Sequence, residues 1–103
     1  MSTSAEIMKI KFPDKMPVWI EKSSKCALPD IPKNKYLVPK DITFSQLMYV
    51  VRKHIKITPS TAIFFNIEGK MPRMCDVVYS YSHLQQEDGL LHITYLAENT
   101  FGH

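Results

Sequence analysis

Between Met16 and Glu21 apolar and polar positions alternate: Met16, Val18 and Ile20 fall on one side, Pro17, Trp19 and Glu21 on the other. That period of two marks a strand with one covered face, and Pro17, lacking an N–H, belongs near its start or at an edge. Residues 23–33 carry Pro29 and Pro32 and read as a loop. Residues 35–38 form a second strand that Pro39 closes. The pattern then changes period. Thr43-Phe44-Ser45-Gln46 is a capping box, Ile42 and Leu47 are spaced as a hydrophobic staple, and Leu47, Val50, Val51 and His54 follow at helical spacing. That helix is expected to end within residues 56–59. Residues 62–67 read as a third strand, with Glu68-Gly69 a turn. Asp76 is expected to cap a short helix through His83 that buries Val77, Val78 and Tyr81. In the last strand, 90–96, Leu91, Ile93 and Tyr95 point one way and Leu90, His92, Thr94 and Leu96 the other. At the other end, residues 4–11 suit two helical turns, with Ile7 and Ile10 on one face and Pro13-Asp14 as the stop.

Two adjacent strands, a helix across them and further strands predict an α+β architecture: a mixed four-stranded sheet with a packed helix and a short N-terminal helix. The β-grasp fold of ubiquitin has this order. The expected organisation is a helical segment at 1–11, one domain at 12–99 and a flexible tail at 100–103, within the core size that 103 residues allow.

Composition narrows the chemistry. A net charge of +3 is mild and does not argue for nucleic acid; basic residues gather at Lys33, Lys35 and Lys40 and at Arg52, Lys53, His54 and Lys56, which suits solvated faces or a surface for an acidic peptide or anionic lipid. Cys26 and Cys75 do not make a disulfide scaffold, and a reducing cytosol is the simpler home. Neither cysteine sits in a hydrolase signature, and His54, His83, His92 and His103 lack paired ligand spacing, so no catalytic residue, metal or cofactor is expected. The apolar run Ala62-Ile63-Phe64-Phe65 is far shorter than the roughly 20 residues of a membrane span. No secretory signal pattern opens the chain. Membrane association would then come from attachment or surface contact.

Several segments in order carry a resemblance: Phe12-Pro13-Asp14-Lys15-Met16-Pro17-Val18 with Glu21-Lys22, Lys35-Tyr36-Leu37-Val38-Pro39 with Asp41-Ile42-Thr43, Val51-Arg52-Lys53, Ala62-Ile63-Phe64-Phe65, Glu87-Asp88, and Thr100-Phe101-Gly102-His103. Together they resemble the autophagy-related ubiquitin-like modifiers, the family of GABARAP and microtubule-associated protein light chain three. The resemblance implies a modifier and not an enzyme. A cysteine protease would cut after Gly102, and activating and carrier enzymes would pass its carboxylate to phosphatidylethanolamine on autophagosomal membranes. Glycine suits narrow clefts because it has no Cβ. His103 is then either a minimal leaving group or a purification-tag remnant. The protein would be a cytoplasmic monomer before conjugation. Its partners would include cargo receptors bearing acidic aromatic-x-x-aliphatic motifs, received by β-strand addition along 35–38. By the same resemblance the aromatic pocket would involve Met8, Pro17, Trp19, Lys35, Leu37 and Leu90. The aliphatic pocket would involve Tyr36, Val38, Pro39, Ile42, Leu47 and Val50, with Lys33, Lys35 and His54 meeting the acids. For Ile42, Leu47 and Val50 the alternative is plain helix packing. A ubiquitin-like peptide-binding adaptor that is never conjugated is the other functional reading.

The chain departs from the family pattern in three places. Eight residues precede Lys9, too few for the first of the two N-terminal helices that family members carry, so tethering surfaces made by that helix are in question. Trp19 stands where relatives have a smaller aliphatic residue and Leu90 where many have phenylalanine. Trp19 would therefore either part-fill the aromatic pocket or pack under the N-terminal segment. Gly89 replaces a bulky apolar residue, and a looser lead into the last strand is expected there.

Overall fold

The computed structural model describes residues 13–24 and 26–97. The sequence-predicted helix at 4–11 and the tail with Gly102 and His103 lie outside them, as does Met8. The elements are β1 (Lys15–Lys22), β2 (Lys35–Pro39), α1 (Phe44–His54), β3 (Ile63–Asn66), a 3-10 helix (Val78–Leu84) and β4 (Leu91–Ala97). The sheet order is β2-β1-β4-β3. The central pair β1/β4 is parallel, and both flanking pairs are antiparallel. This is the mixed four-stranded α+β sheet expected from the element order.

Alternation in the two central strands builds the core. Met16, Val18 and Ile20 of β1 and Leu91, Ile93 and Tyr95 of β4 are all at most 2% exposed. Helix α1 covers that face with Phe44, Leu47, Met48 and Val51. The buried stripe thus runs 44-47-48-51, continued by Ile55, and Val50 and His54 lie on its border instead of within it. Phe44 packs 6.0 Å from the Phe65 ring and edge-on to Tyr81 at 5.3 Å. Pro17 tolerates its place in a central strand because β1 pairs with β4 only from Val18 onward.

Helix α1 begins where the capping box predicted. The Gln46 N–H donates to Thr43 Oγ1 at 3.2 Å, and the Thr43 N–H donates to Gln46 Oε1 at 2.9 Å. The two N–H groups between them reach into another segment: Phe44 donates to the Asp76 carbonyl at 3.0 Å and Ser45 to the Met74 carbonyl at 2.9 Å. These are the amides that a helix start leaves unsatisfied. The helix ends at His54, two residues before the expected window, with Ile55 as its extended C-cap.

Three further expectations are corrected. Asp76 does not cap the short helix. Val77 is the N-cap, without a side-chain bond, and the element is 3-10. The Asp76 carboxylate instead accepts from the Arg73 N–H at 3.3 Å and pairs with the Arg73 guanidinium at 3.5 Å, closing the turn that presents its carbonyl to α1. Val77 is exposed at 37%, because its backbone is held in a bridge with Thr43 while Val78 fills the core. Nor is the approach to β4 loose. Gly89 adopts φ 78°, its N–H donates to the Gln86 carbonyl at 2.8 Å, and Asp88 Oδ1 accepts from the Leu90 N–H at 2.9 Å. Glycine permits that tight turn because positive φ strains residues with a Cβ. The turn at Glu68-Gly69 is as expected, with φ of 51° and 82°.

The loop between β1 and β2 is tied to the core by Tyr95, whose hydroxyl donates to the Pro29 carbonyl at 2.6 Å, while Leu28 and Ile31 are buried. Burial pushes the Tyr95 phenol up to about 12; a backbone hydrogen bond from Ile31 works against this and the Asp30 carboxylate adds to it.

Two stability outcomes follow. The folded pKa of Tyr95 lies above its unfolded value of about 10, so its contribution is intact below pH 10 and is lost as pH rises toward 12, at about 1.4 kcal/mol per pH unit. Urea titrations from pH 9 to 12 are expected to show that loss, and Tyr95→Phe to flatten it. Thr43→Ala is expected to cost about 1 kcal/mol in the same assay at pH 7 through loss of the cap.

Candidate functional site

β2 is an edge strand: β1 occupies one side, and the other has no strand among the described residues. Its alternation sorts the sequence-predicted site residues onto two faces. In the β1/β2 register Leu37 lies opposite Pro17 and Lys35 opposite Trp19, while Trp19 lies beside His92 on β4. Directly opposed residues share a face, so these side chains occupy the outer surface of the sheet. Leu90, one residue before the inward-facing Leu91, is 5% exposed. Tyr36 and Val38 oppose Val18 and Met16 and therefore turn toward α1. The structure thus brings Pro17, Trp19, Lys35 and Leu37 together on one face, and Tyr36, Val38, Ile42 and Val50 along the seam of β2 with α1. Met8 lies outside the described residues.

The seam holds an open cavity of about 570 Å³ lined by Pro39, Ile42 and Val50, the expected aliphatic residues, and also by Asp41, Ser45, Gln46 and Tyr49. Leu47 does not line it: it is fully buried, and its side chain belongs to the core beneath. Val38 is similarly enclosed at 6% exposure. Sequence reasoning missed Tyr49, which is 63% exposed with Lys53 Nζ 4.6 Å from its ring centre. The available signal was an aromatic residue on the polar side of the helical stripe.

Cations gather at the opposite end of β2. Lys33 Nζ lies 5.6 Å from the Tyr36 ring centre, and the His54 ring meets Tyr36 edge-on at 5.6 Å. His54 Nδ1 is 2.8 Å from the Val50 carbonyl, which holds the ring at the helix end. Arg52, Lys53 and His54 form a basic last turn, favourable at the negative end of the helix dipole. Tyr36 Oη is buried with no hydrogen-bond partner among the described residues, and burial raises its pKa.

On the outer face Trp19 sits 6.2 Å from His92, whose Nε2 is 2.8 Å from Asp88 Oδ2. Against the effect of burial, the Leu90 N–H and the His92 ring hold the Asp88 carboxyl below its ordinary value. Cys26 is half-buried against the core and Cys75 is exposed. No group of three potential His, Cys, Asp or Glu metal ligands occurs among the described residues.

A mixed four-stranded sheet of order β2-β1-β4-β3, with a parallel central pair and one helix across it, is the architecture of the ubiquitin-like class. The crystal structure of Trypanosoma brucei ATG8 matches with a TM-score of 0.88 and 29% identity, over 95% of this chain and 85% of that one. A family model described as "Autophagy protein Atg8 ubiquitin like" matches residues 2–102. Autophagy-related protein 8e of Arabidopsis thaliana is 46% identical over 89% of this chain and 76% of its own length. Autophagy-related protein 8a of the same plant is 45% identical over 99% and 84%, and Autophagy-related protein 8 of Mycosarcoma maydis 42% over 95% and 84%. The chain belongs to the Atg8 family of autophagy-related ubiquitin-like proteins.

Trp19 is half-buried at the predicted aromatic site and is the only tryptophan, so its emission reports on that face. If its indole part-fills the site, Trp19→Ile is expected to tighten binding of a peptide with tryptophan at the aromatic position by about three-fold or more, an energy of the order of one buried methylene. Calorimetry giving equal affinities would leave Trp19 a packing residue only.

Proposed function

We propose that this protein is an autophagy modifier whose Gly102 carboxylate becomes joined to the amine of phosphatidylethanolamine, and that the membrane-bound form recruits proteins through aromatic-x-x-aliphatic motifs preceded by acids. The observation that carries the recruiting half is the edge position of β2, beside which no second strand lies among the described residues, with the cavity of Pro39, Ile42 and Val50 at one end and Lys33 and His54 gathered around Tyr36 at the other. An extended peptide added there gains main-chain hydrogen bonds, and its alternate side chains fall on the two faces that β2 separates. Support for the conjugating half is the family match, which runs through Gly102.

In this reading a cysteine protease hydrolyses the amide after Gly102 and releases His103. An activating enzyme couples the new carboxylate to AMP with loss of pyrophosphate. The acyl group passes to a cysteine thiol as a thioester with release of AMP, and the phospholipid amine attacks it, forming an amide and freeing the thiol. No described helix is long and apolar enough to cross a membrane. The lipid's two acyl chains supply stable attachment where one would be marginal, and many copies on one membrane raise weak motif affinities by avidity.

The test is reconstituted conjugation of the chain ending at Gly102 with the family's activating and carrier enzymes, ATP and phosphatidylethanolamine liposomes. Intact mass is expected to rise by one phospholipid in the wild type and not after Gly102 deletion. No gain, with the thioester confirmed on a control modifier, would leave a peptide-binding adaptor. Independently, Val50→Asp places a charge in the cavity and is expected to weaken motif-peptide binding about tenfold or more in calorimetry.

A further inference from the structure

The methionines of the described residues divide by environment. Met16 and Met48 are buried in the core, at 2% and 7% exposure. Met71 and Met74 stand at the surface, at 50% and 40%, and the exposed Cys75 follows Met74 directly. Three sulfur donors are thus exposed within the segment Met71-Pro72-Arg73-Met74-Cys75. Cys26, in contrast, is half-buried against the core.

The backbone confines this segment between two turns. Ile67 and Lys70 exchange hydrogen bonds of 2.8 and 2.9 Å, closing the first turn just before Met71. The Asp76 N–H donates to the Arg73 carbonyl at 3.0 Å, closing the second with Met74 and Cys75 at its two central positions. Pro72 is buried between the turns and pins the segment to the body of the fold. The Met74 carbonyl, accepting from the Ser45 N–H at 2.9 Å, holds the second turn against the start of α1. The Cα atoms of Met71 and Met74 are therefore at most about 10 Å apart, and each thioether ends a flexible, unbranched stem. The three sulfurs can meet at one point outside the turn.

The neighbouring hard donor is already engaged. The Asp76 carboxylate accepts from the Arg73 N–H at 3.3 Å, pairs with the Arg73 guanidinium at 3.5 Å and accepts from the Tyr81 hydroxyl at 3.5 Å. The same ion pair neutralises the cation that would otherwise repel a metal from the segment. With no group of three His, Cys, Asp or Glu ligands among the described residues, the donor set does not suit zinc. Thiolate and thioether are soft ligands, and they select monovalent copper.

We propose that Met71, Met74 and Cys75 bind one Cu(I) ion through their sulfur atoms. As the S–Cu bond forms, the Cys75 thiol gives its proton to solvent, and the copper remains Cu(I). The site uses neither Gly102 nor β2, so it stands apart from the conjugation and motif-binding readings.

The experiment titrates Cu(I), without oxygen, into the full chain in competition with the chromophoric chelator bicinchoninate. Wild type is compared with Cys75→Ser, Met71→Leu/Met74→Leu and Cys26→Ser; leucine keeps the volume of methionine. The wild type is expected to take up one equivalent. Cys75→Ser and the double methionine variant are each expected to bind at least about tenfold more weakly, since even the loss of an outer-shell partner costs about ten- to a hundredfold. Cys26→Ser is expected to bind as the wild type does. Wild-type affinity in the double methionine variant would reduce the site to a lone thiol and overturn the proposal, as would wild-type affinity in Cys75→Ser. A matching loss in Cys26→Ser would place the metal between two thiols and overturn it too. Methionine-methyl NMR spectra supply the location: on loading, Met71 and Met74 are expected to shift while Met16 and Met48 stay in place, which also shows that the core is intact. Unshifted Met71 and Met74 signals in the loaded protein would overturn the assignment.

Discussion

The structure depends on the register of the two parallel central strands. Val18 lies beside Leu91 and Ile20 beside Ile93, so all the inward positions of β1 and β4 arrive together under α1. A slip of one residue by either strand would turn its inward set, Val18 and Ile20 of β1 or Leu91, Ile93 and Tyr95 of β4, all fully buried, out to solvent. Everything functional is placed by that constraint. With β1 held on both sides, β2 has one partner strand among the described residues, and its alternation must send Tyr36 and Val38 toward the helix and Lys35 and Leu37 to the outer face.

The helix that completes the core is held at its start by backbone as well as by its own cap. Carbonyls of Met74 and Asp76 receive the first free amides of α1, and the Val78 amide returns to the Ile42 carbonyl. This exchange fixes Ile42 and the β2–α1 junction, where the aliphatic cavity lies. Asp76 takes part through its carbonyl, while its carboxylate closes the turn at Arg73 and accepts from the Tyr81 hydroxyl at 3.5 Å. Tyr95 does the equivalent for the loop before β2, with its hydroxyl on Pro29. Both ends of the edge strand are therefore anchored through the core.

Charge is distributed along this frame in a way that gives the edge a polarity. Lys33 and His54 surround Tyr36 at the beginning of β2, and Lys15 and Lys40 stand at its end, with the apolar seam between them. The chain's net charge of +3 says little by itself, because a mild excess spread evenly would carry no direction. The structure places these lysines at the two ends of one strand.

Local chemistry was legible in the sequence wherever neighbouring residues decide it. The capping box at Thr43 and Gln46, the alternation of Met16, Val18 and Ile20, and the Glu68-Gly69 turn all involve groups a few residues apart, so pattern and structure agree. The order of the segments was likewise enough to point to the β-grasp family. Long-range contacts were not legible. Val50 and Leu47 have the same helical credentials, yet Leu47 is enclosed by the sheet while Val50 reaches the seam, because only packing sets the rotation of α1 over β1 and β4. Gly89 appeared a point of looseness until Asp88, Gln86 and Leu90 closed a hydrogen-bonded turn around it. The cavity between Lys15, Lys40 and the 3-10 helix draws on residues as far apart as 15 and 85, and no one-dimensional pattern joins them. The sequence by itself determined the elements and the family; tertiary structure decided which faces those elements show, since burial depends on the partner across the core and not on the residue next in line.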